Sequence, residues 1–298
     1  MNARKTHLDG LASVILLACC VFWGFQQVLV KVTLDEVNPV WQAALRFMGA
    51  TVLLLGWMRW RRIPLAWSDG SASAGWWVGL LFSGEFVCIY MGLQHATASR
   101  LTIFLYTSPF WVALLLPFWV KSERMRPIQW VGLVLAFCAV AYALRDGLLQ
   151  PSGPTQWLGD LMALGAGAFW GWTTVAIRST SLARVSPEKL LFYQIANCAL
   201  VLPAVAWWLG EDLRLDYSTW AWASIAVQAA VGAFASYLIW MWMLGRYPAT
   251  RLSTFAFLTP LFALLFGSLW LGEPITPGLV VALAGVALGI VLVNRRPT

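Results

Sequence analysis

Charge is scarce in this chain. Lys, Arg, Asp and Glu together make up 11% of its 298 residues, where a soluble domain carries roughly 25%. Histidine is nearly absent, with only His7 and His95. No Gly-x-x-x-x-Gly-Lys phosphate loop and no His-Glu-x-x-His pair occurs, which removes the usual ATPase and metalloprotease signatures. The five cysteines, Cys19, Cys20, Cys88, Cys138 and Cys198, all fall inside apolar runs without metal-ligand spacing. They read as small buried apolar residues. No metal and no cofactor is called for, and the missing catalytic clusters argue against an enzyme.

What the chain has instead is hydrophobic length. Hydrophobic residues make up 60% of it, and 20 residues are Trp. A membrane-spanning helix needs about 20 apolar residues, and such runs recur from end to end with no room between them for a soluble domain. The spacing predicts an all-α integral membrane protein with ten transmembrane helices, over 9–32, 39–58, 74–94, 99–120, 127–145, 157–178, 187–209, 218–244, 250–271 and 276–293. Pro39, Pro127, Pro187 and Pro277 mark helix starts, where a missing N–H costs nothing. Leu16-Leu17-Ala18-Cys19 resembles a lipoprotein cleavage site, but the apolar run continues through Val30, so a first transmembrane helix is the better reading.

The net charge of +7 does not indicate nucleic-acid binding. The basic residues sit in short runs between spans, such as Arg59, Arg61, Arg62 and Lys121, Arg124, Arg126. That is the pattern of cytoplasmic loops facing a lipid bilayer. Fifteen of the 20 Lys and Arg lie on the side of the N-terminus and four (Lys31, Arg100, Arg145, Arg214) lie opposite, with Arg46 inside a span. Both termini are therefore expected in the cytoplasm, which requires an even number of helices.

The sequence also repeats itself at about 147–151 residues. Phe22-Trp23-Gly24 recurs as Phe169-Trp170-Gly171, and the basic residue seven positions on recurs as Lys31 and Arg178. Arg100-Leu101, Phe104 and Pro109 recur as Arg251-Leu252, Phe255 and Pro260, and Glu123 and Pro127 recur as Glu273 and Pro277. Five helices per repeat, over 1–150 and 151–298, force the second to cross in the opposite sense. This gives a pseudo-two-fold axis in the membrane plane, as in many alternating-access transporters. With Thr107-Ser108-Pro109, Leu258-Thr259-Pro260 and Leu271-Gly272-Glu273, these motifs make nearly the whole chain resemble the drug/metabolite transporter superfamily, of the EamA type. The first repeat departs at one turn, where Lys121-Ser122-Glu123 replaces Leu-Gly-Glu. The resemblance implies a transporter of the bacterial inner membrane that exports metabolites, amino acids (aromatic ones in some members) or toxic organics.

Polar residues inside the spans nominate a site. An ionisable group there costs about 2.5–3.5 kcal/mol or more. Arg46 lies roughly 10 Å below the outer surface and Glu85 roughly 16 Å above the inner one, at 1.5 Å per residue. The two are expected to meet as an ion pair joining the second and third helices, or to handle substrate or protons. Trp23, Gln26 and Gln27 share a helix face, as do Gln194 and Asn197. Tyr90, Tyr106, Tyr237 and Trp170 complete an aromatic, sparsely polar cavity of the kind that holds a small-molecule substrate. Trp41, Trp57, Trp60, Trp76, Trp207 and Trp220 are expected at the lipid interface. Pro109 and Pro260 are expected to kink their helices and to serve as gates. Gly75-x-x-x-Gly79, Gly167-x-x-x-Gly171 and Gly285-x-x-x-Gly289 are expected to pack internally. Asp160 is expected to cap the sixth helix.

The expected function is a secondary transporter working as a monomer. A duplicated channel, or a membrane scaffold or enzyme without transport, are the alternatives. The topology is directly testable. A cysteine replacing Asp69 is expected to be shielded from an outside-only reagent in intact cells, and one replacing Asp212 to react; the reverse pattern would overturn this orientation.

Overall fold

A computed structural model of the chain describes residues 7–65, 69–149, 153–272 and 277–295, and no strand occurs among them. Helices α1 (Gly10–Thr33), α2 (Pro39–Trp60) and α3 (Ala72–Gly92) lead into a broken rod, α4 (Ala98–Leu105) and α5 (Ser108–Leu115). Then come α6 (Pro127–Ala143), the short α7 (Arg145–Leu149), α8 (Gln156–Ser179) and α9 (Pro187–Trp208). The next rod runs from α10 (Thr219–Val227) through a π-helical stretch at Gln228–Ser236 into α11 (Tyr237–Arg246). A second broken rod, α12 (Ala249–Phe255) and α13 (Leu258–Leu271), precedes α14 (Pro277–Asn294). Among the described residues, seven rods are long and apolar enough to cross a membrane: α1, α2, α3, 98–118, α9, 219–246 and 249–271. Two apolar helices, 127–143 and 278–294, are shorter. The 24-residue α8 is not among the seven, its apolar run being diluted by Gly, Thr and Trp.

Local chemistry sets these ends. The Asp9 carboxylate accepts from the Ala12 amide (2.8 Å) and starts α1. Ser186 and Ser218 do the same for α9 and α10, satisfying amides that have no partner inside the helix. Pro39, Pro127 and Pro187 stand at first helical positions as expected. Gly272, at φ 70°, closes α13 in the left-handed conformation that glycine adopts without a Cβ penalty.

The two inner prolines act more sharply than a kink. Pro109 is the second residue of α5 and Pro260 the third of α13. A proline ring clashes with the carbonyl four residues earlier and supplies no N–H. Those carbonyls belong to Leu105 and Ala256, and each rod breaks there. Neighbours cover the loosened backbone. The Cys20 thiol donates to the Phe255 carbonyl (3.3 Å). Gly167 lets α8 approach the Phe104 and Leu105 carbonyls so closely that a Cβ would lie within 2.9 Å of both.

Glycine makes the other close crossings. A Cβ on Gly24 would lie 2.5 Å from the Phe262 Cβ, and one on Gly171 would collide with the Trp111 Cβ. Gly75 and Gly79 admit Tyr193 and Asn197 of α9. Gly285 faces Ala139, and Gly289 meets the Gly132 carbonyl. All three spaced glycine pairs are therefore spent on contacts within the chain. Among the helix pairs, α6 lies on α14, α2 on α9, α1 against α13, and α8 against α4 and α5.

Polar ties cross between the halves. Glu211, before α10, accepts from the Val40 and Trp41 amides at the start of α2 (3.0 and 3.1 Å). Glu36 accepts from the Ser218 amide and hydroxyl. At the other surface Asp69, before α3, accepts from Lys189 Nζ in the first turn of α9 (2.7 Å). The Lys189 ammonium, then Ser71, holds the Asp69 carboxyl down to about 2. The stabilisation from this tie is complete above the ordinary carboxylate range and is lost as pH falls through about 2.

Two expectations need correction, and the tryptophans expected at the interface divide between exposed and half-buried. Asp160 does not cap α8; both its oxygens accept from Arg100 (2.5 and 2.7 Å), and Arg100 also donates to the Leu148 carbonyl. Cys138 is exposed, while Cys19, Cys20 and Cys198 are buried. Of the tryptophans assigned to the interface, Trp60, Trp207 and Trp220 are exposed, but Trp41 donates to the Glu211 carbonyl and Trp76 packs on Tyr193.

The glycine contacts predict a paired outcome. Gly79→Ala should lower thermal stability in detergent by about 1–3 kcal/mol, because backbone on α9 must move. Gly56→Ala, with nothing within 4 Å of the new methyl, should be neutral or stabilise by about 0.5–1 kcal/mol. Equal effects would mean that the α3–α9 crossing is looser than described.

Candidate functional site

Four helices surround one cavity, and each presents the same spacing to it. The lining contains Trp23, Gln26, Gln27 and Val30 of α1, and Phe82, Glu85, Phe86 and Ile89 of α3. It also contains Trp170, Thr173, Thr174 and Ile177 of α8, and Tyr237, Trp240, Met241 and Leu244 of α11. Every set follows i, i+3, i+4, i+7, one face of an α-helix. Arg46 from α2, Gln194 from α9, Tyr90 and Tyr106 add to the wall, as do α4 through Leu101 and Thr102 and α13 through Pro260, beside the second break, and Ala263. The volume is about 550 Å³, within the range of small-molecule sites.

The structure thus brings together Trp23, Gln26, Gln27, Arg46, Glu85, Tyr90, Tyr106, Trp170, Gln194 and Tyr237. It leaves two nominated residues elsewhere. Asn197 sits one turn beyond Gln194, against Gly79, and donates to the Tyr193 carbonyl (3.4 Å). Pro109 is buried away from the lining. Sequence reasoning missed Phe82, Phe86, Thr173, Thr174, Trp240 and Met241. Counting three and four residues either way from Glu85, Tyr90, Trp170 and Tyr237 would have found all six.

Two aromatic walls face the space. Trp23 meets Trp240 edge-on at 5.7 Å and Tyr237 at 6.2 Å, and its indole N–H donates to Ser236 (2.7 Å). Ser236 belongs to the π-helical stretch, where Gly232 leaves room for the Gln26 amide. Opposite, Trp170 meets Tyr106 edge-on at 5.7 Å. Such T-shaped contacts fix ring orientation.

The cavity's charges are arranged unexpectedly. Arg46 and Glu85 are both buried, yet no ion pair joins them. Instead the Arg46 guanidinium lies 4.6 Å from the Phe47 ring centroid and 5.4 Å from that of Phe86. Rings replace the carboxylate as its neighbour. Arg46 Nε and Nη2, Glu85 Oε2, Gln26 Oε1 and Thr173 Oγ1 have no hydrogen-bond partner within the protein. No cluster of His, Cys, Asp or Glu fit for a metal occurs among the described residues.

The two ends of the cavity differ. At one, the lining reaches the exposed residues Lys31, Leu34 and Leu93; at the other it stops at the buried Ile177 and Leu244. Behind that floor lies a buried polar latch. Arg178 donates to the Leu244 carbonyl (2.8 Å) and to Glu123. Glu123 also accepts from the Ala249 amide (3.2 Å), the Thr250 amide (3.4 Å) and the Thr250 hydroxyl (3.2 Å). One carboxylate thus joins the ends of α8 and α11 to the start of α12. The second copy of this acidic residue, Glu273, lies outside the described residues.

Comparison with known proteins agrees with this architecture. An uncharacterised transporter of Archaeoglobus fulgidus is 27% identical over 96% of this chain and 95% of its own. A protein of Salmonella typhimurium described as a probable amino-acid metabolite efflux pump is 25% identical over 95% of this chain and 94% of its own. A protein of known crystal structure shares the fold, with a TM-score of 0.79 over 94% of this chain and 96% of that one, at 20% identity. The EamA-like transporter family matches twice, over residues 10–145 and 157–295, and the chain belongs to that family, within the drug/metabolite transporter superfamily.

Proposed function

We propose that this protein is a secondary transporter that exports small amphipathic organic metabolites, amino acids with aromatic or other apolar side chains foremost, across the bacterial inner membrane. All ten rods cross the bilayer in this reading, as two inverted five-helix repeats with both termini in the cytoplasm. The carrying observation is an aromatic cavity that reaches exposed residues at one end and stops at the other at buried residues, with the Glu123–Arg178 latch behind them. A solute site with one closed end is what alternating access requires of each state.

Several features support the finer claims. The double family match and the paired helix contacts favour a two-fold arrangement. So do the reciprocal ties of Glu211 to α2 and Asp69 to α9. The excess of Lys and Arg at the latch side favours its cytoplasmic placement, so the cavity faces outward here. The name of the Salmonella relative favours export of amino-acid metabolites. The breaks at 106–107 and 256–257 sit where rods 98–118 and 249–271 can pivot, and Pro109 and Pro260 keep them from healing.

In this cycle solute enters from the cytoplasm once Glu123 lets go of Arg178 and the α12 amides, and leaves through the end near Lys31. The aromatic walls give contact area without fixing one side-chain shape. Purified protein in liposomes should therefore show saturable counterflow of labelled amino acids. Trp23→Ala and Trp170→Ala should each reduce it about tenfold or more at equal amounts of folded protein, while Trp220→Ala should not. Equal effects of all three, or unsaturable flux typical of a channel, would overturn the assignment.

The latch yields its own test. Glu123→Gln removes the charge from a buried, hydrogen-bonded pair, whose charge-assisted bonds are worth about 1.5–3 kcal/mol each. A cysteine replacing Ile177 should then react several-fold faster with a membrane-impermeant reagent applied from the cytoplasmic side. An unchanged rate in a folded variant would show that the latch does not hold that end closed.

A further inference from the structure

Arg46 and Glu85 invite a more specific reading, which rests on the transporter assignment and sharpens its substrate. Their side chains line the same cavity from α2 and α3, and both residues are more than nine-tenths buried, at 4% and 6% exposure. Each also has buried polar atoms with no hydrogen-bond partner in the protein: Nε and Nη2 of the arginine, Oε2 of the glutamate. Leaving opposite charges buried and unpaired in one cavity is unfavourable unless something else completes them. Phe47 and Phe86 explain why the guanidinium stays put. Ring faces attract the cation without consuming its N–H donors, so the donor fork remains available for an oxygen pair.

We infer that Arg46 and Glu85 form a two-point subsite for a zwitterion, the guanidinium binding the carboxylate and the Glu85 carboxylate binding the ammonium of an α-amino acid. A lone arginine would suit an anion, and a lone glutamate an amine. One of each, uncombined, suits a ligand carrying both charges and no net charge. Thr173 Oγ1, in the same lining and also without a partner, can take a remaining ammonium hydrogen. The aromatic wall of Trp23, Tyr237 and Trp240 takes the side chain. The alternative is that the two residues close on each other when the cavity reshapes, with no ligand role; the experiment below separates the two.

The test uses full-length protein in liposomes, with counterflow of labelled phenylalanine as the readout. The competitors are phenethylamine, which lacks the carboxylate, 3-phenylpropionate, which lacks the amine, and unlabelled phenylalanine. Wild type should prefer the zwitterion at least tenfold over either analogue. Arg46→Gln should erase the preference over phenethylamine but keep that over 3-phenylpropionate. Glu85→Gln should do the opposite. This crossed pattern is not expected from a merely structural ion pair, which would weaken all three ligands alike.

Wild type that moves all three compounds equally would overturn the inference and leave the aromatic transporter standing. If the variants do not fold, the wild-type preference alone decides. If wild type moves none of the three, thermal stabilisation in detergent is the second measurement. Selective stabilisation by phenylalanine would sustain the subsite while removing transport. Equal or absent stabilisation would overturn the subsite.

Discussion

A backbone amide in the hydrocarbon core of a bilayer has no water to turn to, so irregular backbone survives there only where the protein itself encloses it. Among the described residues the chain departs from regular helix deep within its rods at three places: 106–107, 228–236 and 256–257. All three border the cavity. Tyr106 stands at the first break, Gln26 reaches over Gly232 in the second, and Thr259 and Pro260 follow the third. Substitutes for the lost helical bonds come from inside, as with the Cys20 thiol on the Phe255 carbonyl and the Ser236 hydroxyl on that of Gly232. The site is therefore found where regular helix gives way, and the surrounding crossings at Gly24, Gly79 and Gly171 let the remaining helices close around it.

Much of this was readable from sequence because two periods dominate it. Apolar length marks the helices, and the observed ends of α2, α9 and α14 fall within a few residues of those expected. A repeat of about 150 residues picked out Trp23 and Trp170, and both line the cavity. Ionisable residues in apolar runs picked out Arg46 and Glu85 for the same reason. What sequence could not give was pairing in space. Arg46 finds aromatic rings where Glu85 was expected, since Phe86 follows Glu85 in the chain but turns towards α2. Asp160 finds Arg100 from a different helix, sixty residues away. Asn197 shares the face of Gln194 in a helical-wheel view, yet Gly79 draws α3 against it before the cavity begins.

Duplication and chemistry part company at the centre. The scaffold is repeated: each half supplies a Phe-Trp-Gly helix, a proline-broken rod and a basic residue seven positions after the tryptophan motif. The charges are not. Gln194 occupies the position of Arg46 and Ser236 that of Glu85. The cavity draws its aromatic residues from both halves of the chain and its charges from the first.

The Glu211 carboxylate carries a consequence for how the chain is made. It supplies the acceptor for the first amides of α2 from 171 residues further along. A ribosome adds about 5–20 residues per second, so α2 exists for roughly 10–30 s before Glu211 has been synthesised. During that interval its leading turn must rely on water or lipid headgroups. The start of α2 is thus unfinished until the chain has been made through Glu211, well into its second half.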